Sequence, residues 1–181
     1  MKVLAIPATN SNNGLNRQLI AIAQRAIADL APDAGIEIVD LNDYEMPIYS
    51  TAREQETGIP EPARHLFDKI GAADALIVSF AEYNGSYTSA WKNVHDWMSR
   101  IDMSIYQGTR TAMFAATPGP RAGAGVLGSA TTTAPFFGAD LVGSLGIGTF
   151  HANVVDGEIV DDDLRTQFVE ILEKLVTVGE S

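Results

Sequence analysis

No cysteine occurs among the 181 residues. That excludes disulfides, thiolate metal sites, iron–sulfur clusters and a cysteine nucleophile. Positive charge is also scarce, with 12 Lys+Arg against 23 Asp+Glu and a net charge of −11. So acidic a surface repels a phosphate backbone at long range, and no nucleic-acid partner is expected. Long apolar runs are missing as well. Nowhere do about 18 apolar residues follow one another, so no membrane-spanning helix is expected. Met1–Pro7 is too short an apolar run for a secretory leader. The expectation is a cytoplasmic protein with no membrane attachment. What is present is 46% hydrophobic residues. That is enough to offset the entropy of ordering a chain, in a length that suits one domain spanning residues 1–181.

The apolar residues are arranged in alternating patterns. Short runs at Val3–Ile6, Ile36–Leu41, Ala75–Phe80, Thr111–Ala116 and Leu141–Phe150 are bounded by Gly, Pro, Asp or Asn. Most are near-continuous, the pattern of strands buried on both faces of a parallel sheet. Between them, Leu15 to Leu30, Ala63 to Ile70, Ala90 to Met98 and Leu164 to Val176 carry apolar residues at helical spacing. Asp161, Asp162 or Asp163 suits the N-cap of the last. The fourth crossover, Val126 to Phe137, is a poor helix on propensity, because it contains Thr131-Thr132-Thr133 and Pro135. Five strands alternating with helices predict a doubly wound α/β sandwich.

In such sheets ligands bind beyond the carboxyl ends of the strands. That singles out the loops Ala8–Gly14, Ala81–Tyr87 and Thr117–Gly125, with the stretch Asn42–Pro60 as a possible border. The first loop, Thr9-Asn10-Ser11-Asn12-Asn13-Gly14, leads from a strand into a helix and suits an anion. The second places Tyr83 and Tyr87 around Asn84-Gly85-Ser86, which suits a planar ligand that stacks and accepts main-chain hydrogen bonds. The third runs into Gly123-Ala124-Gly125-Val126-Leu127-Gly128, a literal G-x-G-x-x-G. It follows the fourth strand rather than the first, so it reads as a permissive backbone loop and not as a dinucleotide fingerprint. His65, His95 and His151 lack metal-ligand spacing. Trp91, Val94, Trp97 and Met98 form a bulky helical stripe suited to core or subunit contact.

The loops and their order resemble the NADPH-dependent FMN reductase family, flavodoxin-like proteins that include quinone, azo and chromate reductases. The resemblance rests on Ala81-Glu82-Tyr83-Asn84-Gly85-Ser86 followed by Trp91-Lys92-Asn93-Val94-His95-Asp96-Trp97, similar to the family's P-E-Y-N-x-S loop and L-K-N-x-x-D-W helix. Asp40-Leu41 with Met46-Pro47-Ile48-Tyr49 is similar to its D-L…P-x-Y stretch. The resemblance implies a three-layer sandwich with strand order 2-1-3-4-5. It implies FMN, with Thr9, Ser11, Gly14, Leu15 and Asn16 at the phosphate. Glu82, Tyr83, Asn84, Gly85 and Ser86 would lie along the ring, and Thr117, Pro118 and Gly119 would close its other side.

It further implies NAD(P)H as electron donor, a small acceptor such as a quinone, azo compound or free flavin, and a homodimer or homotetramer. No side-chain acid or base is then required, because the cofactor carries the redox chemistry. Two other readings of the fold are a binding protein without tight FMN and an electron-transfer flavodoxin. One departure from the family bears on FMN directly. The family's phosphate loop reads G-S-x-R-x-x-S-x-N, and Ala8, Ser11 and Gly14 stand here where it has Gly, Arg and its second Ser. The missing Arg removes a charge-assisted phosphate contact, which Arg17 or Arg121 could replace.

Overall fold

A computed structural model describes residues 1–177; the last four residues of the expected domain, 178–181, lie outside the described residues. Five parallel strands form one sheet: β1 (Lys2–Ala8), β2 (Gly35–Ile38), β3 (Ala75–Phe80), β4 (Arg110–Ala116) and β5 (Asp140–Ile147). Their order is 2-1-3-4-5, as the family resemblance implies. Between and after them run α1 (Leu15–Leu30), α2 (Thr51–Thr57), α3 (Glu61–Gly71), α4 (Ser89–Met98), α5 (Ala124–Thr133), α6 (Phe150–Asn153) and α7 (Asp162–Val176). A two-stranded hairpin, β6 (Val154–Val155) and β7 (Glu158–Ile159), precedes α7. None of the described helices is long and apolar enough to cross a membrane.

The near-continuous apolar strands feed two separate cores, because successive side chains point to opposite faces. On β1, Leu4 and Ile6 join the core under α3, α4 and α5, whereas Val3 and Ala5 join the core under α1 and α7. Central strands β1, β3 and β4 are buried almost throughout, and edge strands β2 and β5 are only partly so. Trp91, Val94, Trp97 and Met98 are all buried in the first core. The stripe on α4 is therefore core within the chain and leaves nothing of itself for a subunit contact.

Three expected boundaries change. The second apolar run divides: β2 ends at Ile38, and Leu41–Tyr44 forms a 3-10 turn capped by the Asp40 carboxylate. The fifth strand stops at Ile147, because Gly148 lies against the carbonyls of Gly119 and Pro120, and Thr149 then takes a left-handed conformation (φ 46°). The fourth crossover forms a helix despite its threonines. Thr131 and Thr133 hydroxyls bond back to the carbonyls of Leu127 and Ser129, while Val126, Leu127 and Ala130 are buried. Tertiary burial outweighs local propensity here.

Candidate functional site

At the carboxyl ends of β1, β3, β4 and β5 the chain encloses a cleft of about 320 Å³. Thr9, Ser11, Gly14, Leu15 and Asn16 line one end of it, from the first loop. Ala81 and Tyr83 come from the second loop, Pro118 from the third, and His151 from α6. Seven of the residues expected at a cofactor therefore meet in one cleft. Glu82, Asn84, Gly85, Ser86, Thr117 and Gly119 do not line it and act around it.

The first loop is built to receive an anion. Gly14 caps α1 without a side-chain hydrogen bond, and the first turn of this 16-residue helix carries no acid. Among the described residues, the main-chain N–H groups of Asn13, Gly14, Leu15 and Asn16 find no acceptor. These unpaired donors at a helix start attract negative charge. Thr9 is buried, and its hydroxyl oxygen accepts from the Ser11 N–H at 3.1 Å, which sets the bend of the loop. Arg17 does not fill the place of the missing family arginine. Its Nε donates to the Ser11 carbonyl at 2.9 Å, and its guanidinium pairs with Asp40. Burial opposes ionisation of Asp40, but hydrogen bonds from Asn42 and Arg17 outweigh it and hold the carboxyl below its ordinary range.

Asn16 reaches the cleft only through its main chain. Its buried carboxamide donates to the Ala116 carbonyl at 3.1 Å and accepts from the Ala116 N–H at 2.9 Å and the Ser79 hydroxyl at 2.8 Å. The start of α1 is thereby pinned to the ends of β3 and β4.

In the second loop, Tyr83 and Ser86 exchange main-chain hydrogen bonds of 3.0 and 3.1 Å. Asn84 (φ 54°) and Gly85 (φ 76°) both lie in the left-handed region between them, so the loop is a tight two-residue turn of the primed type. The N–H groups of Asn84 and Gly85 project with no protein acceptor among the described residues. Tyr83 is 52% exposed and presents its ring to the cleft. Glu82 turns away from the cleft, and its carboxylate accepts from the Val126 N–H at 3.0 Å, at the start of α5. A Cβ on Gly125 would come within 2.6 Å of the Gly85 carbonyl and 2.7 Å of the Glu82 carboxylate. The glycine-rich loop thus seats α5 against the Tyr83–Ser86 turn.

In the third loop, the Thr117 N–H donates to Ile147 and the Thr117 hydroxyl to the Gly119 carbonyl. Thr117 and Gly119 fix the loop's path and leave Pro118 to face the cleft.

The stretch 42–60 borders a second hollow, where Asn10 meets Asn42 and Asn93. Asn93 holds this stretch in place, accepting from the Tyr49 N–H at 2.8 Å and donating to the Met46 carbonyl at 3.1 Å. Trp97 Nε1 donates to the Pro47 carbonyl at 2.7 Å. The two stretches that carry the family resemblance are therefore one brace. Sequence reasoning missed His151 as a cleft residue, while Ala81 lies in the second loop it singled out. His151 belongs to no spacing pattern, and the approach of α6 to the first loop is set by the turn at Thr149.

The arrangement offers unpaired donors for a phosphate at one end and an aromatic face at the other, which fits a flavin mononucleotide. The family model described as NADPH-dependent FMN reductase matches residues 1–172. A 2-hydroxy-1,4-benzoquinone reductase of Burkholderia sp is 33% identical over 101 residues, 55% of this chain and 51% of that one. An NAD(P)H-dependent FMN reductase of Pseudomonas aeruginosa is 31% identical over 119 residues, 66% of this chain and 61% of that one. The chain thus spans little more than half the length of these relatives. Among solved structures, the flavoenzyme NAD(P)H:(acceptor) oxidoreductase of Paracoccus denitrificans superposes with a TM-score of 0.73 at 22% identity, covering 96% of this chain and 98% of that one. An FMN-dependent NADH-azoreductase of Bacillus anthracis, solved with FMN, gives 0.65 at 13% identity, covering 96% and 97%. At these identities the likeness to the solved structures is one of fold.

Proposed function

The chain belongs to the NADPH-dependent FMN reductase family, and on that premise we propose that it is an FMN-dependent oxidoreductase taking electrons from NAD(P)H. Its acceptor is a small molecule such as a quinone, azo compound or free flavin. The observation that carries the reading is the cleft itself, with unpaired N–H donors at the start of α1 and the Tyr83 ring and Pro118 beyond them. Bound FMN supplies the two-electron chemistry. The residues of this chain bind and orient it. The N–H groups of Asn13 to Asn16 would hold the phosphate, Tyr83 and Pro118 would bind the flavin, and the Asn84 and Gly85 N–H groups would be donors to it. Preorganised donors of this kind favour negative charge on a ring without reorganisation cost.

We place the protein in the cytoplasm, where its electron donor is made. We also assign it a homodimer or homotetramer. With the tryptophans buried, support for assembly passes to Phe136, which is 71% exposed, and Met103, which is 46% exposed.

Titration of the flavin-free protein with FMN, followed by flavin fluorescence, tests the reading. Saturable binding at one FMN per chain is expected, then NAD(P)H oxidation with benzoquinone showing parallel double-reciprocal lines as donor and acceptor take turns in one cleft. Absence of flavin binding would overturn it.

A further inference from the structure

We propose that His151 is a phosphate ligand of the cleft, supplying from α6 the positive charge that the first loop lacks. This rests on the FMN reading above. Ser11 occupies the position of the family's arginine, Arg17 is committed to Asp40 and the Ser11 carbonyl, and Arg121 of the third loop does not line the cleft. Yet the chain carries a net charge of −11, so a phosphate entering the cleft needs a local cation. His151 lines the same cleft as Ser11, Gly14 and Leu15. Its ring makes no hydrogen bond or ion pair among the described residues, so both nitrogens are free to donate when protonated.

The backbone beneath it is specially held. Thr149 is β-branched and sits at φ 46°, a conformation such residues adopt only under constraint. The constraint comes from the third loop. The Thr149 N–H donates to Gly119 and the Phe150 N–H to Thr117, at 2.9 and 3.1 Å, and Asn153 closes the turn onto the Gly148 carbonyl at 2.8 Å. This strained turn aims α6 at the first loop. Among the described residues that line the cleft, only Tyr83 is otherwise titratable and none is an acid. The hairpin packed on α6 carries Asp156 and Glu158, and Glu158 lines a separate groove beside Arg25.

The test compares wild type, His151→Asn and His151→Lys for binding of FMN and riboflavin by fluorescence titration at low salt. His151 is exposed, so the variants should fold, and equal melting temperatures check it. The expected result is an FMN affinity about tenfold weaker in His151→Asn and preserved in His151→Lys. Riboflavin, without the phosphate, should bind all three alike. An unchanged FMN-to-riboflavin ratio in His151→Asn, or equal weakening of both flavins, would overturn the proposal while leaving FMN binding intact. A wild type that binds neither flavin would overturn the functional reading and this inference with it.

Discussion

Asn16 and Ala116, 100 residues apart, exchange hydrogen bonds: the Asn16 carboxamide donates to the Ala116 carbonyl and accepts from its N–H. A side chain thereby completes the hydrogen bonding at the end of β4 and holds the anion-binding loop at a fixed height above the sheet.

Asn16→Ala should accordingly act as a stability mutation first. It removes three buried hydrogen bonds and leaves the Ser79 hydroxyl and both Ala116 groups unpaired, at a cost of about 2–4 kcal/mol. Urea unfolding measures it. Because the displaced loop is the one that receives the phosphate, FMN affinity should fall more than riboflavin affinity.

The glycines of the G-x-G-x-x-G segment should separate by function. Gly125→Ala forces a Cβ into the Gly85 carbonyl and the Glu82 carboxylate, and displacing the turn should cost about 1–3 kcal/mol and weaken flavin binding. A Cβ on Gly128 meets nothing within 4 Å, so Gly128→Ala should stabilise α5 by about 0.5–1 kcal/mol. Thermal melts of the two variants should move in opposite directions.

Ser11→Arg should tighten FMN by up to about tenfold, or ~1.4 kcal/mol, without changing riboflavin affinity. Combined with His151→Asn, it should recover the FMN affinity that the histidine variant loses. Parallel titrations of single and double variants check this.

His95 should make the fold acid-sensitive. Packed between Trp91 and Phe137, at ring distances of 6.1 and 4.5 Å, it is pushed from 6.5 down to about 4 by burial, partly opposed by Asp96. The folded state therefore favours the neutral ring. Its contribution is complete above pH 6.5 and is lost as pH falls toward 4. A shift of that size corresponds to about 3 kcal/mol. Urea midpoints of wild type and His95→Leu should diverge over this range, with wild type losing more stability. Parallel curves would refute the assignment.

Much of this was legible in the sequence, for physical reasons. Strands buried on both faces have a distinctive apolar density, and β1, β3 and β4 have it. Edge strands lack it, so the limits of β2 and β5 shifted. The anion loop was readable from its Ser, Asn and Gly content. That the Asn16 side chain is a clamp was not, because its partners are distant in sequence. Glu82 likewise reads as a ring contact until the start of α5 is seen to engage its carboxylate. His151 could not be found, since its place depends on an unfavourable backbone angle at Thr149.

The residues lining the cleft run from Thr9 to His151, and this has a consequence for biogenesis. A chain leaving the ribosome has no complete cleft until β5 and α6 have emerged and docked, since the first loop awaits β4 and the far wall awaits α6. A ligand recognising the whole cleft therefore binds only the finished fold and stabilises it by mass action. Flavin supply during synthesis should raise the yield of native protein by trapping completed chains, without hastening the early pairing of β1 with β2.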